Sequence, residues 1–278
     1  MTTNDSLTIN DKLRTLTMNI LDEINNHKRT EIAEAKSLVS VGQLMASPYF
    51  KRKTNSLKAA LLTEGASGVI AEFKTKSPSK GVINETAEAS EITAAYVAAG
   101  ASGLSVLTDD HFFGGSFENL AKARFANPGA PILRKDFMLD PYQIYEARAH
   151  GADVILLIAE SLTKELLLEL TLKAKELGLE VLVEVHSEEE LEKLNSQVDL
   201  VGVNNRNLKT FEVDVHTSVR LSKLIPEKFV KISESGISDP ASIAQLRAAG
   251  FKGFLIGETF MKTDNPGKAC KEFIEKIK

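Results

Sequence analysis

Residues 153–185, DVILLIAESLTKELLLELTLKAKELGLEVLVEV, hold one complete unit of the fold. An apolar run at 153–158 is followed by Ser161 to Gly178, where Leu162, Leu166, Leu167, Leu170, Leu172 and Leu177 recur at helical spacing. A second apolar run, 179–185, closes the unit, and Gly178 stands where a helix should end before the next strand. Both runs are short and continuous rather than alternating, the pattern of parallel strands covered on their outer face. Working outward, the same grammar recurs. Runs near 68–73, 103–107, 131–134, 198–203, 229–232 and 253–256 bring the strands to eight, with Gly100, Gly151 and Gly250 in the position of Gly178. The intervening segments are helix-patterned, as in Ser187 to Asn195 with its acidic first turn Glu188-Glu189-Glu190. Eight βα units in about 230 residues predict a (β/α)8 TIM barrel. A doubly wound sheet would show fewer strands and a Gly-rich first turn, and the sequence contains neither GxGxxG nor a Walker A motif.

Ahead of the first strand, residues 1 to about 10 are polar, and Leu13, Leu16, Ile20, Leu21 and Ile24 recur at helical spacing in a segment ending near Ala35. The expected organisation is an N-terminal helical extension over residues 1–48 and a barrel over 49–278, a single domain overall. The chain of 278 residues has 34 basic and 38 acidic side chains, a formal net charge of −4, with the signs interspersed. Such a balance argues against nucleic acid and anionic membranes as partners. The lone Cys270 excludes an internal disulfide and a cysteine metal cluster, the absence of Trp removes a base-stacking platform, and no apolar run approaches membrane-spanning length. With no secretory h-region near the start, the cytoplasm is the expected location.

Barrel chemistry belongs to the C-terminal strand ends. The first strand ends at Glu72 and Lys74, two apart and so on one face. The third ends at Lys135, the fifth at Glu184, and the sixth runs into Asn204 and Arg206. Any one of these alone reads as a solvated loop residue or half of an ion pair. Together they come from four strands distant in sequence whose ends a barrel brings to one rim. Arg134, Asp136 and Glu234 are expected to face away, His111 and His186 to be solvated, and Glu160 is open. Ser235-Gly236 and Gly257-Glu258 follow strands seven and eight, where barrels bind phosphate through backbone N–H groups, and Ser77 and Lys74 could add a hydroxyl and a cation. A small phosphorylated molecule is the expected partner.

These stretches resemble the indole-3-glycerol phosphate synthase family. The resemblance rests on IAEFKTKSPS (70–79), LRKDF (133–137), GVNNRNL (202–208), SESGI (233–237) and LIGE (255–258), in matching order and spacing over about residues 45–265. The segment before the first strand is similar to the family's addition over the barrel mouth. The resemblance implies that Lys135 is the general acid for ring closure, that Glu72 and Glu184 serve later proton transfers, and that Lys74 binds the substrate carboxylate. It implies further that Asn204 and Arg206 hold sugar hydroxyls, that Phe113 and Phe137 sandwich the aromatic ring, and that Ser77, Ser235, Gly236, Gly257 and the backbone of Glu258 hold phosphate. Some members have Ser where Glu258 stands, so its carboxylate should turn away from the phosphate. No metal or cofactor is implied. The competing readings are a Schiff-base ketose-phosphate aldolase using Lys135 or Lys74, and a non-catalytic phosphosugar-binding barrel. An isomerase barrel of the same pathway would need a strand-end Cys, which is missing here.

Overall fold

Eight parallel strands close into a barrel: β1 (Val69–Phe73), β2 (Gly103–Leu107), β3 (Ile132–Lys135), β4 (Val154–Ile158), β5 (Glu180–Val185), β6 (Leu200–Asn204), β7 (Val230–Glu234) and β8 (Phe251–Ile256). β8 pairs with β1 to complete the ring, so the barrel itself has no open edge. The computed structural model describes residues 19–208 and 210–278. The strands lie where the apolar runs place them. β8 begins at Phe251, ahead of its apolar core, because its register against β7 shifts between Phe251 and Gly253 and leaves Lys252 exposed. Gly100, Gly151, Gly178 and Gly250 have φ of 97°, 90°, 71° and 91°, the left-handed conformation that ends the helices before β2, β4, β5 and β8.

The strands are buried on both faces, and alternation divides their side chains between two cores. Ile70, Leu133, Leu156, Leu182, Leu200, Ile232 and Leu255 point into the barrel, where Leu57 and Leu61 of a short helix, Leu57–Leu62, plug its N-terminal end. Val69, Ala71, Phe73, Val181, Val183, Val201 and Val203 point outward to the helices. At the plugged end Asp153, fully buried, pairs with Arg124 and with Arg52 at 2.6 Å and accepts the N–H groups of Asn55 and Ile132 at 2.8 Å. This end of the molecule is a polar fastening, remote from the strands' C-terminal ends.

The N-terminal helix α1 (Ile20–Leu38) starts with a capping box between Asn19 and Asp22. Leu13 and Leu16, expected in the same helix, lie outside the described residues. Leu21, Ile24, Asn25, Lys28 and Ile32 form its buried face. The Tyr142 hydroxyl donates to the carbonyls of Ala35 and Val39, Lys36 pairs with Asp140 at 2.6 Å, and Asn25 donates to the Ser161 hydroxyl at 3.1 Å. Through these contacts α1 lies across loops at the C-terminal end of the barrel. No helix among the described residues is long and apolar enough to cross a membrane.

Candidate active site

The alternation that sends Ile70, Leu133, Leu182, Leu200 and Ile232 inward carries on, two residues later, to Glu72, Lys135, Glu184, Gly202 with Asn204 beyond it, and Glu234. The side chains of Glu72, Lys135, Glu184, Asn204 and Glu234 converge on the floor of a cavity of about 630 Å³. Every residue that the sequence reading assigns to the site lines that cavity: Glu72, Lys74, Ser77, Phe113, Lys135, Phe137, Glu184, Asn204, Arg206, Ser235, Gly236, Gly257 and Glu258. Ile20, Leu21 and Ile24 of α1 form an apolar wall to it.

At the centre stands Lys135. Its Nζ donates to Glu234 Oε2 at 3.1 Å and to Glu184 Oε2 at 3.4 Å. Burial opposes the charge, but Glu234, Glu184 and Glu72 outweigh it and hold the ammonium well above the ordinary lysine range. Glu72 pairs with Lys74 at 3.0 Å and accepts from the Ser105 hydroxyl at 3.3 Å; burial pushes its carboxyl up, and Lys74 and Lys135 more than reverse this. Glu184 is likewise held ionised against burial by Lys135, while Asn204 Nδ2 donates to its Oε1 at 3.0 Å and His186 Nε2 lies 3.3 Å from the same oxygen. The third carboxylate behaves differently. Burial pushes Glu234 up to about 7 against the pull of Lys135, with the like charges of Glu184 and Glu72 adding to the rise. Its Oε1 is buried with no hydrogen-bond partner among the described residues.

Two expectations about this floor are corrected. Glu234, expected to face away, points inward. The readable signal is the polar pair Lys231 and Ser233, which marks odd positions of β7 as outward and even ones as inward. The loop then breaks the alternation, because Ser235 and Gly236 have φ of 66° and 74°. Asn205 Nδ2 holds the Ser235 carbonyl at 3.0 Å, and a side chain at position 236 would strike Val213. His186, expected to be solvated, is mostly buried between Glu184 and Glu190, which raise its pKa to about 10 against the effect of burial. Glu160, His186 and Glu190 bring ligand-type atoms within 4.8 Å of one another, but an imidazole with a carboxylate at each nitrogen suits a protonated ring better than a metal ligand.

At Phe113, Phe137 and Gly257 the geometry shows physics beyond that expected. The Phe113 and Phe137 rings lie 5.9 Å apart, tilted by 36°. A ring sandwiched between them needs about 7 Å, two van der Waals separations, so the pair offers one shared apolar face instead. Gly257 makes room for a side chain: a Cβ there would lie 2.6 Å from Glu72 Oε1 and 3.0 Å from Glu72 Cβ. Gly202 does the same for Glu234, whose Oε1 occupies the space of a missing Cβ. Glu258 lies on the rim, where its carboxylate comes within 4.0 Å of Lys80.

Residues 21–273 match the family model described as indole-3-glycerol phosphate synthase. A protein of Bacteroides thetaiotaomicron named indole-3-glycerol phosphate synthase is 51% identical over 258 residues, covering 93% of this chain and 98% of that one. A protein of Salinibacter ruber with the same name is 44% identical, with 91% and 94% covered. Among solved structures, a 3-hexulose-6-phosphate synthase superposes with a TM-score of 0.60 at 14% identity over 76% of this chain and all of that one, a likeness of fold alone. With its barrel and an extended match to the family over nearly its whole length, the chain belongs to the indole-3-glycerol phosphate synthase family.

Proposed function

We propose that the protein converts 1-(2-carboxyphenylamino)-1-deoxyribulose 5-phosphate to indole-3-glycerol phosphate, a step of tryptophan biosynthesis, and that the residues on the cavity floor perform the chemistry. The observation that carries this reading is the charged Lys135 within a ring of three carboxylates at the base of the cavity. As the carboxylate-bearing aromatic carbon attacks the ketone, the ketone oxygen gains negative charge. A fixed ammonium stabilises that charge, and the alkoxide, a far stronger base than an amine, takes a proton from Lys135. The carboxylate then leaves as CO₂ and restores the aromatic electrons.

Loss of water completes the indole. Glu184 and Glu72 are the bases available for the proton removed in that step, and Lys74, 3.0 Å from Glu72, is placed to bind the substrate carboxylate and to protonate the departing hydroxyl. Asn204 and Arg206 would hold sugar hydroxyls; the Arg206 N–H donates to Asn204 Oδ1 at 3.0 Å, which ties the two together. Ser77, Ser235, Gly236, Gly257 and the N–H of Glu258 would take the phosphate, and the shared face of Phe113 and Phe137 the aryl ring, in a cavity that Ile20, Leu21 and Ile24 also line.

The same electrostatics weigh against a Schiff-base aldolase, which needs a neutral amine. Here the carboxylates push Lys135 the other way. A barrel that merely bound sugar phosphates would have no use for three carboxylates buried around one cation. The test is direct: the purified protein mixed with the anilino-deoxyribulose phosphate should release CO₂ and develop indole fluorescence in equal amounts. The chain has no Trp, so the signal rises from a nearly dark background. Absence of both products would overturn the reading, and loss of activity on borohydride trapping with a ketose phosphate would favour the aldolase.

A further inference from the structure

We infer that Lys28, on the N-terminal helix, is a positioning residue that holds Phe113 and Phe137 together as one preformed face and so sets the affinity for the aryl half of the substrate. The inference rests on the proposed function for what occupies the cavity, and on geometry for everything else. Lys28 is 4% exposed, unlike Lys36, which joins the same helix to Asp140 near the surface. Its Nζ lies 2.9 Å from Asp109 Oδ2, 3.0 Å from Asp136 Oδ1 and 2.5 Å from Glu31 Oε2.

Each aspartate also holds the backbone of one ring-bearing loop. Asp109 is the N-cap of the turn Asp110–Phe113, and its Oδ1 accepts the Phe112 N–H at 2.9 Å. Asp136 stands between Lys135 and Phe137. The Asp136 oxygen that Lys28 touches, Oδ1, accepts the Phe137 N–H at 2.8 Å, and the other is taken by Thr108 at 2.6 Å and Arg134 at 2.8 Å. Thr108 therefore joins the loops at the strand ends, whereas Lys28 joins them farther out, where the rings begin.

Other groups grip the Phe113 turn from different sides. Thr75 donates to the Gly114 carbonyl at 3.0 Å, Lys76 to the His111 carbonyl at 2.9 Å, and His27 packs against His111 and Phe112. None of these reaches the Phe137 loop. The helix that supplies Lys28 also supplies Ile20, Leu21 and Ile24 to the lining of the same cavity, so one element provides both apolar lining and the fastener of the aryl subsite. Without the ammonium the loops keep only the Thr108 tie, and a substrate must order the rings at the expense of its own binding.

Lys28→Met keeps most of the length of the side chain but leaves two buried aspartates without the ammonium between them. Lys28→Met with Asp109→Asn removes one charge of each sign and guards against simple misfolding. The probes are indole-3-glycerol phosphate, which carries the aryl group, and glycerol 3-phosphate, which lacks it, each titrated calorimetrically. Affinity for the aryl probe should fall roughly tenfold in both variants, about the worth of one good aromatic contact, with glycerol 3-phosphate affinity unchanged. KM for the substrate should rise more than kcat falls, and Lys28→Arg should restore most of the loss. An equal loss for both probes, or none for the aryl probe, would overturn the role given to Lys28. If the wild-type protein itself bound the aryl probe no more tightly than glycerol 3-phosphate, the aryl subsite would be wrong and the inference would fall with it.

Discussion

Glu234→Gln isolates the one carboxyl on the cavity floor that titrates near neutrality. Glu234 is 1% exposed, and its carboxyl moves from an ordinary 4.5 to about 7, chiefly through burial. At about 1.4 kcal/mol per pH unit, that difference corresponds to about 3 kcal/mol of folding free energy. The sign follows from proton counting. Below pH 4.5 the carboxyl is protonated in both folded and unfolded chains, and the folded state carries no penalty. Between pH 4.5 and about 7 the unfolded chain releases its proton first, so stability is lost as the pH rises through this window, and above it the full cost of the buried anion is felt. Glutamine never ionises. Glu72 and Glu184, depressed in the folded state, contribute stability that is lost as the pH falls below their unfolded values, and both proteins share that contribution. Lys135 stays charged throughout. The stability of Glu234→Gln relative to wild type should therefore rise by about 3 kcal/mol between pH 4.5 and 8, seen as a relative gain of roughly 6–12 °C in Tm for a chain of this size. Urea unfolding and thermal melts at pH 4.5, 5.5, 6.5, 7.5 and 8.5 would measure it. A difference that stays flat over that range would mean that Glu234 is ionised throughout and that the electrostatics of the floor have been misread.

Three further outcomes are expected. Lys135→Met should lower kcat by about 10²- to 10³-fold, the usual effect of removing one oxyanion donor, while the protection of the fold by indole-3-glycerol phosphate in thermal melts persists; near-normal turnover would remove Lys135 from the mechanism. Gly257→Ala should displace the Glu72 carboxylate from Lys74 and slow turnover, while inorganic phosphate, held by backbone N–H groups that alanine keeps, still raises Tm; normal turnover would show that Glu72 does not depend on the space the glycine leaves. Asp153→Asn, at the plugged end, should cost about 3 kcal/mol of stability through the exposed imbalance of Arg124 and Arg52, with kcat at 25 °C unchanged; a Tm within 2 °C of wild type, well inside the roughly 6–12 °C fall expected, would contradict it.

The barrel was legible because a parallel strand covered on both faces must be apolar along its whole length, and the helices between must end before the next strand begins. Residues 153–185 show both requirements in one stretch. The polar residues at the strand ends were legible for a related reason: a charge closing an apolar run is conspicuous when everything before it is Val, Ile or Leu. Glu72, Lys135 and Glu184 stand out in this way. Glu234 does not, because Ser233 interrupts the run before it and Ser235 continues the polar stretch after it.

By itself, then, the sequence determined the order of elements, the closure into eight units and the residue types at the active rim, since these follow from local periodicity and from where apolar runs stop. The tertiary structure alone decided that Glu234 reaches Lys135, that Gly257 and Gly202 yield their space to Glu72 and Glu234, and that Phe113 and Phe137 touch. It also decided that Lys28, one of three Lys and Arg side chains on an amphipathic helix, is buried between Asp109 and Asp136. These are relations between residues far apart in the chain. Their energies arise from burial, from charges brought within 3–4 Å and from atoms competing for the same volume, none of which exists until the strands close and α1 settles across their ends.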